Sequence, residues 1–210
     1  MGSPTPRGEK YGRLLRILSR SGLHVVYGEP GSLKTTFALL LAKSMKKERK
    51  VYVGLAKHAF LDFPSSFSKD FLVLRALSFK EEVAALLRLE QVSDENTVIV
   101  YDGFASLTSP LLTLGKSHPV LRANTFVAAK LYEVAEKSRC TVLIVTMPGL
   151  DSKPRFFSAL RPYASEYTFL SRNGENLVVE VRDKDLNTVL RLSMDPGELL
   201  SQVYHKSLDV

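Results

Sequence analysis

The chain has 210 residues, 45% of them hydrophobic and 24% charged, which suits one domain with a real core and is too short for two full ones. A formal net charge of +7 favours an anionic partner such as nucleic acid, or serves solubility if the cations are dispersed. Cys140 is the only cysteine, so an internal disulfide is excluded, and no apolar run approaches the roughly 20 residues of a membrane span. These features predict a cytoplasmic protein (nuclear if eukaryotic) with no membrane partner.

In chain order, residues 1–11 read as a flexible lead-in, since "MGSPTPRGEK" has glycine, prolines and charges but no apolar centre. One domain over 12–204 follows, with a tail over 205–210. "YGRLLRILSRSG" has its leucines and isoleucine at helical spacing, and "LHVVY" (23–27) is a short β-rich run. From Lys34 to Met45, Phe37, Leu40, Leu41 and Met45 recur as one face of a helix. "KVYVGL" (50–55) and "DFLVL" (70–74) predict strands. "FKEEVAALLRLE" predicts an amphipathic helix with Phe79, Val83, Leu86 and Leu87 inward. "TVIVYD" (97–102) and "TVLIVT" (141–146) are nearly unbroken apolar runs, as expected of parallel strands buried on both faces. Between them a helix around 127–138 turns Val127, Leu131, Val134 and Ala135 to one side. Beyond residue 166, "EYTFLS", "NLVVEVR" and "TVLRLS" alternate as strands, with turns at Asn173-Gly174 and around 185–187. This rhythm predicts an α/β three-layer sandwich, its central sheet mostly parallel with antiparallel C-terminal edge strands.

Between the first strand and the next helix lies "GEPGSLKTT": Gly28, Glu29, Pro30, Gly31, Ser32, Leu33, Lys34, Thr35 and Thr36. It follows the phosphate-loop pattern G-x-x-x-x-G-K-[ST], except that leucine replaces the last glycine. In such a loop, successive backbone N–H groups form a nest for phosphate oxygens. Lys34 would reach the β- and γ-phosphates of ATP, and the Thr35 hydroxyl would help hold Mg²⁺. Leu33 still supplies an N–H, provided its side chain points away. Asp102 ends a buried strand 67 positions after Thr35, where a second metal-holding acid belongs. The plainer alternative for Asp102 is a turn cap before Gly103.

With these motifs in order, residues 12–200 resemble the RecA-like recombinase superfamily, particularly its archaeal RadA and RadB branch and the related KaiC-like ATPases. "GEPGSLKTTFALLLAK" is similar to the family's loop and helix, and "VIVYDGFASL" to its acidic strand. "RANTFVAAKLYEVAEKSRCTVLIVTMP" is similar to its helix and sensor strand, and "RDKD" with "VLRLSMDPGEL" to its closing strands. The resemblance implies a RecA-like P-loop core, without the separate N-terminal DNA-binding domain of full recombinases. It implies binding of ATP, Mg²⁺ and single-stranded DNA, and a recombination or repair accessory role beside a recombinase or paralogue partner.

Three departures bear on hydrolysis. Leu33 replaces the loop glycine, and the "DTE"-like segment carrying the catalytic glutamate is here Leu55, Ala56, Lys57 and His58. The asparagine–glutamine pair after the Thr146 sensor position is Met147-Pro148. The resemblance therefore implies an ATPase that is weak at most. Glu29 and Asp62 are the acids that would have to stand in, and no pattern assigns either the role. His58, beside an aromatic, reads as structural or exposed. Two alternatives stand open: an active DNA-stimulated ATPase, and a non-enzymatic protein-binding scaffold with a vestigial nucleotide site.

In the resembled family DNA lines the segments after the Asp102 and Thr146 strands. The first offers Lys116 and Arg122, with His118 between them; the second offers Lys153, Arg155, Phe156, Phe157 and Arg161, with Tyr163 close by. Cations would neutralise phosphates and aromatic faces would stack on bases. The two phenylalanines read equally as core residues. "KSMKKERK" (43–50) reads as a solvated face or a secondary DNA contact.

Overall fold

The structure, a computed structural model, describes residues 6–55 and 69–197. Eight strands form one sheet: β1 (Gly22–Gly28), β2 (Arg49–Leu55), β3 (Leu72–Ala76), β4 (Thr97–Asp102), β5 (Thr141–Thr146), β6 (Ala164–Asn173), β7 (Asn176–Arg182) and β8 (Thr188–Met194). Their order is β3-β2-β4-β5-β1-β6-β7-β8. β3 to β6 in that order pair in parallel, and β7 and β8 add antiparallel pairings at one edge. Helices α1 (Pro6–Leu18) and α2 (Lys34–Ser44) share an apolar cluster with one face of the sheet. Helices α3 (Phe79–Val92), α4 (Ser117–Ser138) and α5 (Phe157–Leu160) share the cluster on the other. The arrangement is α/β and compatible with a three-layer sandwich.

The parity of the buried strands builds both clusters. In β4, Val98 and Val100 join α1 and α2, while Ile99 and Tyr101 join α3 and α4. β1 and β5 divide the same way: Val26, Leu143 and Val145 face α2, and Leu23, Val25, Val142 and Ile144 face α4. A strand covered on both faces has no solvent side, which is why these runs carry no polar alternation. α2 departs from the single apolar face its spacing predicts, because Phe37 to Ala42 are all buried. α1 occupies the same layer, and the Tyr11 and Ser44 hydroxyls lie 3.2 Å apart. α1 itself begins at Pro6, inside the segment expected as a lead-in.

α3 corrects a second expectation. Its buried residues are Glu82, Ala85, Leu86 and Leu89, whereas Phe79 and Leu87 are exposed. Ser78 caps the helix by accepting from Glu81 N at 3.2 Å, and the Glu81 carboxylate accepts from Leu77 N at 2.7 Å. That cap turns an acid, Glu82, inward. The Tyr101 hydroxyl donates to Glu82 Oε1 at 2.5 Å, so the buried carboxyl has a partner that an apolar count overlooks. β3 lies two residues later than predicted, and α4 starts ten residues earlier, with Val127, Leu131, Val134 and Ala135 buried as expected.

Burial raises the Glu82 carboxyl above the ordinary glutamate range, against the Tyr101 hydrogen bond that lowers it. The native state thus holds a proton that the unfolded chain has released, and stability falls as pH rises through the window from 4.5 to the raised native value. Glu82→Gln keeps an acceptor for Tyr101 and removes the titration. Chemical denaturation across pH 4 to 8 is expected to show a flatter stability profile for the variant, with its relative gain at the alkaline end.

Candidate functional site

β1, β4 and β5 end side by side. Tyr27 is in register with Thr146, and Asp102 with Val145. The Gly28–Thr36 loop, Asp102 and Thr146 therefore gather at the carboxyl edge of the parallel sheet, where open α/β sheets have their binding crevice. Parity brings the loop and the acid together: Val98, Val100 and Asp102 share the face that carries α2. The Thr35 hydroxyl donates to Asp102 Oδ2 at 2.9 Å across 67 residues of sequence. The Tyr52 hydroxyl, from β2 on the same face, donates to that same oxygen at 2.9 Å. Tyr52 was not among the expected site residues; a tyrosine in "KVYVGL" looks like any other buried strand residue.

Gly28 owes its identity to close approach. A Cβ there would stand 2.0 Å from the Leu170 carbonyl oxygen of β6, and Glu29 N donates to that oxygen at 3.3 Å. Gly31 has φ +74, a left-handed conformation that glycine adopts without penalty. Leu33 has φ 58 and ψ 30, so the missing glycine falls on a second left-handed position. An L-residue there costs about 1–2 kcal/mol. The Leu33 side chain packs, half-buried, against the α1–α2 cluster, which offsets part of that strain and turns it into the core.

α2 has no side-chain cap and no acid in its first turn. Its opening N–H groups carry the positive end of the helix dipole, a setting that favours an anion. The Ser32 hydroxyl is fully buried and the Thr146 hydroxyl nearly so, and neither has a hydrogen-bond partner among the described residues. Leaving such groups unsatisfied costs about 1–3 kcal/mol each. Lys34 Nζ donates to the Glu29 carbonyl oxygen at 2.6 Å, so the ammonium lies across its own loop. Burial pulls Lys34 below the ordinary lysine value, while Asp102 and Glu29 pull it back up.

Glu29 is exposed, and Pro30 and Thr36 complete the loop as exposed and half-buried residues. Asp62 and His58 lie outside the described residues. The segment after Thr146 is shaped by its own backbone: Gly149 N donates to Lys153 O at 2.7 Å, and Arg155 N to Met147 O at 2.9 Å. Phe156 and Phe157 are half-buried and packed against the α3–α4 cluster, with Phe157 5.4 Å from the Tyr167 ring. Both rings thus pack partly on the core and keep part of their surface exposed. Lys153 lies 6.0 Å from the Phe157 ring centroid, and Arg155 5.7 Å from that of Phe156. Lys153 is exposed, and Arg155 is half-buried like the two rings. Arg161 is exposed and 3.4 Å from Asp185. Lys116 and Arg122 are exposed at the start of α4, which emerges from the same edge of the sheet. In the 43–50 cluster, Lys47 and Arg49 donate to the carbonyls of Glu95 and Val92, clamping the start of β2 to the end of α3 and the turn before β4.

The left-handed geometry at Leu33 is testable by substitution. Leu33→Gly removes the strain along with apolar contact and is expected to change stability by less than about 1 kcal/mol. Leu33→Val keeps a Cβ at positive φ, adds β-branching and shortens the side chain; a loss of about 1–2 kcal/mol is expected in urea denaturation.

In comparisons with known proteins, no family model matches the chain, and no match is found among curated proteins.

Proposed function

We propose that the Gly28–Thr36 loop binds ATP with Mg²⁺, and that the chain is a RecA-like core of the recombinase-paralogue kind that also binds single-stranded DNA. The observation that carries the reading is the Thr35–Asp102 hydrogen bond. A hydroxyl has one proton and two lone pairs. With its proton donated to Asp102, Thr35 keeps its oxygen lone pairs for a cation, while the carboxylate supplies charge beside it. Among the described residues no group of three or more His, Cys, Asp or Glu gathers to hold a metal. A site of that kind suits Mg²⁺, which is characteristically held by one or two protein oxygens together with nucleotide phosphates. When bound, the ion would neutralise charge between the β- and γ-phosphates.

The chain's own residues have distinct parts in this reading. The N–H groups of the loop and of the first turn of α2 receive phosphate oxygens. Lys34 exchanges its bond to the Glu29 carbonyl for a phosphate, and the anion restores the ammonium that burial weakens. The unpartnered Ser32 and Thr146 hydroxyls gain acceptors. Of the two acids that would have to stand in for the catalytic glutamate, Glu29 is exposed in the loop and Asp62 lies outside the described residues. Met147 and Pro148 stand in the resembled family's sensor positions and offer no side-chain amide. Hydrolysis is therefore slow, and ATP serves chiefly as a structural ligand.

Two measurements test the proposal. Saturating ATP–Mg²⁺ at about 100 times its Kd stabilises the native state by about 2.7 kcal/mol, which for a chain of this size raises Tm by roughly 5–10 °C. Asp102→Ala is expected to lose the Mg²⁺-dependent part of the rise. No rise in the wild type would point to a vestigial site, and rapid phosphate release abolished by Asp102→Ala would favour the active ATPase.

For DNA, the cations presented beyond β5 predict salt-dependent affinity. Replacing Lys153, Arg155 and Arg161 together by alanine is expected to lower the slope of log K against log salt by about 2 for single strands. Filter binding from low to moderate salt reads this directly, and an unchanged slope removes that segment from the interface.

A further inference from the structure

We infer that Tyr52 is a positioning residue for the divalent cation, acting through its hydrogen bond to Asp102; this rests on the nucleotide–Mg²⁺ reading above. Tyr52 is fully buried on β2, three places in the sheet from the strand that leads into the loop, and touches no part of a bound nucleotide in that reading. Its hydroxyl nevertheless meets Asp102 Oδ2 at the same 2.9 Å as Thr35. Two O–H donors converging on one oxygen fix the rotation of the carboxylate about its terminal bond, a torsion that is otherwise broad. The donors differ in one respect. Thr35 belongs to the loop and would have a cation beside it, whereas Tyr52 is held by the core on every side. Its anchor point is therefore present before any ligand arrives, and the acid keeps one orientation whichever way the loop moves.

The test separates cation placement from general support. Wild type and Tyr52→Phe, which retains the ring and loses only the hydroxyl, are titrated calorimetrically with a non-hydrolysable ATP analogue, once with Mg²⁺ and once with EDTA. The variant is expected to lose about tenfold of the affinity that Mg²⁺ adds. Its affinity in EDTA should stay within about twofold of wild type. If Mg²⁺ adds as much affinity in the variant as in the wild type, the inference is overturned and the nucleotide reading stands. Equal losses with and without Mg²⁺ also overturn it, marking Tyr52 as a general packing residue. Absence of binding by the wild type in both conditions overturns the nucleotide reading and this inference with it. Should Tyr52→Phe fail to fold, Tyr52→Met removes the hydroxyl with a differently shaped side chain and gives the same readout. Added to Asp102→Asn, Tyr52→Phe is expected to change the Mg²⁺ effect no further; additive losses would sink the idea.

Discussion

A single hydrogen bond, from Thr35 to Asp102, joins the start of one helix to the end of a strand 67 residues later. Its formation depends on almost everything else in the fold. β4 must lie two places from β1 in the sheet, with β5 between them. The parity of β4 must put position 102 on the face that α2 covers, and a one-residue slip would turn Asp102 towards α3 and α4. The register of β4 is held by its neighbours on both sides, Arg49 to Gly54 of β2 and Thr141 to Val145 of β5. The geometry of the site is thus a property of the sheet, and the loop inherits it.

That dependence explains what the amino-acid sequence discloses and what it withholds. β4 and β5 were legible to the residue because a strand buried on both faces is an uninterrupted apolar run with polar residues at each end. The Gly28–Thr36 loop was legible because glycines at close approaches and positive φ leave a pattern. Hidden were features whose signal is a partner distant in sequence. Glu82 reads as a solvent-facing acid until Tyr101 stands beside it. Tyr52 reads as core until β2 is laid against β4. Phe156 and Phe157 were ambiguous for the same reason: half-buried aromatics beside cations have one composition whether they face a core or a ligand. The length of α4 was missed because His118 and Pro119 resemble a loop, although proline fits the first turn of a helix, where its missing N–H is no loss.

Leu33 shows how a loop can keep its path while losing the residue best suited to it. The backbone there is left-handed with leucine in place, so the path is imposed by what flanks it: Gly28 seated against β6, and α2 buried in its layer. The energy that glycine would save is partly recovered by leucine's contact with the core. In the proposed reading, such an exchange suits a loop that holds its ligand in one conformation. Catalysis asks more of a site than binding does, since it requires a water to be oriented and a γ-phosphate to be sensed. In the proposed reading the losses fall on those two tasks, at positions 147 and 148 and in the segment after β2, while the phosphate nest, the lysine and the acid are retained.

The polar groups at the carboxyl edge point the same way. A native protein rarely leaves buried hydroxyls without partners, and each one is a cost that folding alone does not repay. Ser32 carries that cost within the loop and Thr146 at the end of β5, and Lys34 folds back on a backbone carbonyl of its own loop. Asp102, by contrast, receives two donors. The loop side of this edge is thus rich in donors, with the Asp102 carboxylate opposite them. A ligand that is anionic where it meets the loop, and carries a cation where it meets Asp102, answers both halves at once. A triphosphate with its divalent ion has that distribution of charge, and an isolated anion or an isolated cation would satisfy only one side.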